Sequence, residues 1–244
     1  MNESKHTGIL KELGSFISHE MATFHIPAVG IALVQDKDII WQEGFGWQDS
    51  TNTIKASSDT VFRVGSISKL FTAVALMQLH EQKKLNIDLP VVEYCPELTF
   101  KNTFKSKNPI TLRHLLSHRA GILRESPVGN YFDDSEPTIK ETVLSILDSD
   151  MIYEVGQKCK YSNLGPTVAG YILEKITGNT FPQYIDHCIF SPLNMNSSAF
   201  LLDNSKIQKN LADAYMVDFN GKLFPAPVFQ LGTIPAGNLY STVN

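Results

Sequence analysis

The sequence predicts an α+β protein in which a helix and a β-hairpin lead into a long, mainly helical region. Three observations carry this. Ile9, Leu10, Leu13, Phe16, Ile17, Met21 and Phe24 recur at helical spacing and stop before Pro27. Two short runs rich in branched and aromatic residues, 28–34 and 39–47, flank the polar turn Gln35-Asp36-Lys37-Asp38. Residues 70–79 are then almost wholly apolar, which predicts a helix buried on nearly every side. With 43% hydrophobic and 19% charged residues, the 244-residue chain can bury a sizeable core.

The elements follow in order. The first helix packs on the hairpin, and residues 49–59 read as a polar loop before the apolar helix. Asn86-Ile87-Asp88-Leu89-Pro90 stops that helix and opens a short segment ending at Pro96, followed by a polar, basic loop over 99–108. A helix begins within 109–118, where Thr111 is placed to cap it and Leu112, Leu115 and Leu116 face inward. Residues 124–136 are loop-like, and 137–147 form a further helix. Residues 166–177 form another, closed by Gly178, and 181–190 one more. Residues 232–244 read as a loop. A lone hairpin is a marginal sheet, so the pattern predicts that further strands lie beyond Asn244. The organisation expected is one incomplete domain over 1–244. Its parts are the N-terminal helix, hairpin and start of the apolar helix (1–72), a mainly helical part (73–200) and a return segment (201–244).

Composition excludes some classes of function. The net charge is −4 and no basic stripe is present, which argues against a nucleic-acid partner. No apolar run reaches membrane-spanning length. Residues 1–14 are polar and mixed in charge, unlike a signal peptide, which favours a cytoplasmic location. Cys95, Cys159 and Cys188 are odd in number and form no C-x-x-C pair, against a disulfide framework.

The chemistry centres on Val64-Gly65-Ser66-Ile67-Ser68-Lys69. On a helix, positions three apart share a face, so the Ser66 hydroxyl and the Lys69 amine can meet. A serine hydroxyl is a weak nucleophile until a base takes its proton. A lysine in a poorly solvated place can be that base. Ser66 is expected in the first helical turn, where free N–H groups favour developing negative charge, with Gly65 permitting a sharp entry. Lys160-Tyr161-Ser162-Asn163 precedes the 166–177 helix. A tyrosine beside a lysine is acidified and can serve as general base and then acid. The Asn163 amide can bind Lys69 and a substrate carbonyl. The same residues also read as an ordinary helix cap with Tyr161 in the core.

Taken jointly, these residues resemble the serine β-lactamase and penicillin-binding-protein family, most of all its class C β-lactamase, D-alanyl-D-alanine carboxypeptidase and esterase branch. Phe62-Arg63-Val64-Gly65-Ser66-Ile67-Ser68-Lys69 resembles the nucleophile motif, and Tyr161-Ser162-Asn163 the second motif, Y-[SA]-N. Ile110-Thr111-Leu112-Arg113-His114-Leu115-Leu116-Ser117-His118-Arg119-Ala120-Gly121 is similar to a structural signature of the branch. So are Ile189-Phe190-Ser191-Pro192-Leu193-Asn194-Met195 and Pro235-Ala236-Gly237-Asn238-Leu239-Tyr240-Ser241-Thr242. The resemblance implies the β-lactamase/transpeptidase-like fold, a helical subdomain beside an α/β subdomain whose C-terminal strands are missing, with the site between the two. It implies Ser66 as nucleophile, Lys69 as its partner, Tyr161 as general base and acid, and Asn163 as a substrate-placing residue. The expected reaction is acyl transfer to water from a β-lactam, peptide or ester, with no metal and no cofactor. Members of the family are often exported.

Departures from the family pattern qualify this. Asn194 and Asn238 stand where glycines are usual, and asparagine tolerates left-handed backbone. Val155 stands where proline is usual. The third motif, K-T-G or H-x-G on a later strand, does not follow Thr242. That absence leaves room for a binding or regulatory protein with little turnover, or for an inactive truncated fragment. It also suggests self-association or a complementing C-terminal segment. His6-Thr7-Gly8 spells the third motif but precedes a helix rather than lying on a strand. His114 and His118, four apart, lack the glutamate of a zinc-protease helix. Gly44-Phe45-Gly46 lacks the third glycine of a nucleotide loop.

Overall fold

The computed structural model describes residues 3–105, 107–203 and 205–244; the side chains of residues 3–7 and 206 lie outside the described set. In chain order the elements are α1 (Glu3–Phe24), β1 (Ala28–Gln35), β2 (Asp38–Gly46), β3 (Phe62–Gly65), α2 (Ser68–Glu81), β4 (Phe100–Lys101), α3 (Leu112–Leu116) and α4 (Ile139–Leu144). Then come β5 (Ser149–Asp150), α5 (Leu164–Thr177), α6 (Phe181–Ile185), α7 (Ser205–Asn210), β6 (Tyr215–Val217), β7 (Leu223–Pro225), α8 (Ile234–Gly237) and β8 (Leu239–Ser241). Short 3₁₀ and π segments occupy Val91–Glu93 and Asp186–Phe190. The chain divides into two compact units. One takes in the described residues up to Phe62 with Leu202–Val228 and Tyr240–Asn244; the other is Arg63–Leu201 with Phe229–Leu239.

In the first unit, β1 and β2 form the expected antiparallel hairpin, from Ala28 opposite Gly46 to Gln35 opposite Asp38, with an irregularity at Leu33/Val34. α1 packs on β2, where Gly14 meets the Phe45 ring. Gly46 has φ +79°, and a Cβ there would come within 2.1 Å of the Pro27 carbonyl oxygen, which accepts the Trp47 N–H. Only glycine fits that corner. The Asp49 carboxylate accepts the Thr53 and Ile54 N–H groups, which organises the polar loop after β2. The later part of the chain returns to this unit at Val61, which donates its N–H to the Asn210 carbonyl and accepts that of Ala212. β6 and β7 pair antiparallel. His6-Thr7-Gly8 falls within α1, not on a strand, and the side chains of His6 and Thr7 are outside the described set.

The second unit is built around α5. All ten residues from Leu164 to Leu173 are buried, and Leu164, Val168, Ile172 and Leu173 lose all exposure. Burying such a side chain contributes about 1.5–3 kcal/mol. Gly165 lets α3 approach, since a Cβ there would lie 2.6 Å from the Leu115 carbonyl oxygen. Gly170 does the same for α8, its Cβ position being 2.3 Å from the Pro235 ring. Gly178 closes the helix at φ +72°, as the sequence indicates. Thr111, Thr138 and Thr180 cap α3, α4 and α6, each through a full capping box. The helix expected over 181–190 is α6 continued as a π turn. β4 and β5 pair in parallel within this unit.

Two expectations about α2 are corrected. It starts at Ser68, so Ser66 and Ile67 form the turn before it rather than its first turn. Nor is it buried on nearly every side: Leu70, Val74 and Met77, at helical spacing, are 39–62% exposed. Its covered face holds Ala75, Leu76 and Leu79 together with the polar Ser68 and Thr72. Apolar composition marks a helix that can be covered all round, but the packing of neighbours decides which faces are.

Candidate active site

Gly65 adopts φ +53° and turns the chain sharply out of β3, so that Ser66 stands exposed ahead of α2. Lys69, one turn on, is half-buried, and its Nζ donates to Ser66 Oγ at 3.0 Å and to the Ala236 carbonyl oxygen at 2.7 Å. The Tyr161 hydroxyl lies 2.7 Å from Ser66 Oγ. The three residues picked from the sequence therefore converge on one oxygen. Lys69 Nζ also sits 4.9 Å from the centre of the Tyr161 ring, and the Arg124 guanidinium 5.6 Å from it. Burial pushes the Tyr161 phenol up, but the hydrogen bonds to Lys69 and Ser66 and the charges of Lys69 and Arg124 outweigh it. The net shift is below the ordinary tyrosine value.

Asn163 occupies the N-cap position of α5 and is 97% buried by its 3% exposure. Here the structure departs from the sequence reading. The Asn163 amide nitrogen donates to Glu125 Oε1 at 2.7 Å rather than engaging Lys69, and its Oδ1 has no hydrogen-bond partner. Glu125 Oε1 also receives Arg124 Nε at 3.2 Å, while Glu125 Oε2 is buried without a partner. An unpaired buried acceptor costs about 1–3 kcal/mol. Two joined through one hydrogen bond call for an explanation beyond packing. The loop carrying Arg124 and Glu125 is fixed to this strip by backbone: the Asn163 N–H donates to the Arg124 carbonyl at 2.8 Å, and Ser162 Oγ to that of Leu123 at 2.7 Å.

Other supporting residues were not legible in the sequence. Ser68 Oγ, fully buried, donates to the Gly65 carbonyl and accepts the Leu239 N–H at 3.0 Å. Thr72 Oγ1 donates to the Pro235 carbonyl at 2.7 Å. With Lys69 they bind the 235–239 segment to α2. Arg63 donates to the Phe229 and Gly237 carbonyls and to Asn238 Oδ1, which also accepts the Leu231 N–H. That explains Asn238. Its φ is −96°, so the left-handed tolerance invoked for it is not used and its side chain is; Asn194, at φ +56°, does use it. His118, itself at φ +59°, lies against Tyr161 with ring centres 4.5 Å apart and planes tilted by 33°, and its Nδ1 accepts the Ser162 N–H at 3.2 Å. Burial and the Lys69 charge lower the His118 pKa, in keeping with that acceptor role. His114 Nδ1 instead closes the α3 cap on Thr111. Among the described residues no cluster of three or more His, Cys, Asp or Glu side chains is arranged to hold a metal.

A serine, a lysine and a tyrosine thus meet at one oxygen, delivered by a helix entry and by the strip before a second helix. A model of the Beta-lactamase family matches residues 13–244, and the chain belongs to that family. Protein flp of Staphylococcus aureus (strain MRSA252) is 24% identical over 233 residues, covering 95% of this chain and 46% of that protein. Beta-lactamase-like protein 2 of Dictyostelium discoideum is 31% identical over 243 residues, covering 95% of this chain and 43% of that protein. The chain thus spans less than half the length of these relatives. Among solved structures, the octameric penicillin-binding protein homologue from Pyrococcus abyssi superposes with a TM-score of 0.85 at 31% identity, over 96% of this chain and 54% of that one. FmtA from Staphylococcus aureus superposes with a TM-score of 0.78 at 25% identity, over 94% and 62%. The fold is the β-lactamase/transpeptidase-like one. No helix among the described residues is long and apolar enough to cross a membrane.

Proposed function

We propose that this chain carries the acylation machinery of a serine hydrolase that acts on an amide, ester or β-lactam carbonyl through an acyl-enzyme on Ser66. The observation that supports it is the placement of Ser66 Oγ between the Tyr161 hydroxyl, at 2.7 Å, and Lys69 Nζ, at 3.0 Å. Tyr161, held below its ordinary pKa by its cationic neighbours, takes the Ser66 proton as Oγ bonds to the substrate carbonyl carbon. The carbonyl π electrons move onto oxygen, where the Ser66 backbone N–H serves as one stabilising donor. As the intermediate collapses, the bond to the leaving group breaks and Tyr161 returns the proton to it. Water then attacks the acyl carbonyl carbon and loses a proton to Tyr161; the carbon–Oγ bond breaks, and Tyr161 returns that proton to Ser66 Oγ, freeing the serine. Lys69 keeps the phenolate and the serine in register through its charge and its anchor on the Ala236 carbonyl.

A fluorophosphonate or penicillin probe tests this: it is expected to label Ser66 and to fail on Ser66→Ala. Labelling that persists in Ser66→Ala, or that maps to Cys95, Cys159 or Cys188, would remove the assignment. Turnover of nitrocefin or p-nitrophenyl esters separates a hydrolase from a binding protein that acylates and stops.

The open stripe on α2 supports the partner reading, association with a second copy or with a complementing segment. The octameric state of the Pyrococcus abyssi relative favours a second copy. Sedimentation across a range of concentrations tests it, and a monomer at every concentration would overturn it.

A further inference from the structure

The site holds two buried acceptors that the acylation steps above do not use. Asn163 Oδ1 and Glu125 Oε2 are both sealed and unpaired, on side chains joined through the 2.7 Å bond from Asn163 Nδ2 to Glu125 Oε1. An asparagine amide has one donor end and one acceptor end, and an ionised carboxylate only accepts. With Glu125 beside it, the nitrogen end must face the carboxylate, and the oxygen end is forced to face elsewhere. A glutamine at position 125 would leave the amide free to turn over; a glutamate does not. The strip 161–164 and the loop 123–125 are tied by backbone bonds, so the pair cannot drift apart.

We infer, on the reading of Ser66 as the acylated residue, that Glu125 fixes the Asn163 amide oxygen-inward and so selects substrates whose acyl part carries an N–H donor, above all a free ammonium next to the scissile carbonyl. This reverses the usual expectation that the asparagine offers its N–H to a substrate carbonyl. An ammonium supplies three donors without an acceptor, matching two orphaned oxygens. It also brings a positive charge to a carboxylate whose Oε2 has no cationic partner, Arg124 Nε being held at Oε1. The Glu125 side chain is 31% exposed, so a modest rotation presents Oε2 to a ligand while Oε1 stays on Asn163. Tyr161, whose hydroxyl lies 2.7 Å from Ser66 Oγ, is two residues before Asn163, so the proposed ligand site shares a short strip with the group that touches the nucleophile.

The test is direct binding, independent of turnover. Glycinamide and propionamide are nearly isosteric and differ in an ammonium against a methyl. Each is titrated into the whole chain by NMR, and into Glu125→Gln and Glu125→Asp. The wild-type chain is expected to bind glycinamide at least about tenfold more tightly, the scale of one hydrogen bond to a charged group. Glu125→Gln should lose that preference and Glu125→Asp keep part of it, with thermal unfolding confirming that both variants fold. Equal binding of the two ligands, binding of neither, or an undiminished preference in Glu125→Gln would each overturn the inference. If Ser66 cannot be acylated but the preference is present and depends on Glu125, the proposed activity fails while the ligand class stands. If Ser66 is labelled but no preference is found, the ligand class fails alone.

Discussion

α2 and α5 are both fourteen residues long, both strongly apolar, and both begin at the site. α2 starts two residues after Ser66 and carries Lys69; α5 has Asn163 at its N-cap and Tyr161 just before it. Yet α5 is enclosed for ten consecutive residues, whereas α2 leaves Leu70, Val74 and Met77 in the open. The covered side of α2 is partly polar: Ser68, Lys69 and Thr72 spend their hydrogen bonds on the 235–239 segment. α5 is therefore the scaffold, held by close packing at Gly165 and Gly170. α2 is held by directional bonds, which also place Lys69 against Ser66 Oγ. A helix with an exposed serine at its entry and a half-buried lysine in its first turn is not enclosed as α5 is.

The sharpest break of this comparison comes at the head of α2. Ser66→Ala should abolish covalent labelling, while leaving the thermal unfolding midpoint within a few degrees of the parent, since Ser66 is exposed. Mass spectrometry of the labelled protein and a melting curve check the two halves. Next in size is the coupling across the two helices. Lys69→Ala from α2 and Tyr161→Phe from the strip before α5 should each lower the acylation rate by at least about 10²-fold. The double variant should be little slower than the slower single one, because the residues act on one proton. Multiplicative losses in a stopped-flow labelling series would show two independent contributions.

Stability separates the helices further. Gly170→Val, in α5, drives a side chain into Pro235 and should cost about 1–3 kcal/mol. Leu70→Gln, on the open face of α2, should stay within about 0.5 kcal/mol. Denaturant unfolding of the two variants measures the contrast, and equal losses would mean that α2 is covered in solution.

The smallest effect expected is a pH dependence inside α5. Burial raises the Glu174 pKa above the ordinary carboxyl value of 4.5, against the opposing hydrogen bond from the Phe181 N–H. The unfolded chain then loses its proton before the folded one does. This group's contribution to stability is thus full below about pH 4.5 and declines as pH rises through the raised folded value. Glu174→Gln should remove that decline, so the variant gains stability relative to the wild type between pH 4 and neutrality. A wild-type and variant difference that does not change with pH would contradict the assignment.

The sequence by itself determined much of this protein. The periodicity of residues 9–24 gave a helix, the Gln35–Asp38 turn a hairpin, and Thr111 and Gly178 a start and a stop, because these signals are local and the backbone obeys them locally. The pairing of Ser66 with Lys69, and its association with Tyr161, was also legible, since few chains carry those motifs in that order. What only the tertiary structure decided is what meets what. Nothing in the local pattern said that α5 rather than α2 would be enclosed, as apolar residues do not name their neighbours. Nor did it say that Asn238 would serve Arg63 and Leu231 through its side chain, or that Asn163 would turn its nitrogen to Glu125 and away from Lys69. Those choices depend on contacts between residues up to 175 positions apart, and a hydrogen-bond donor has no partner until the fold brings one within about 3 Å.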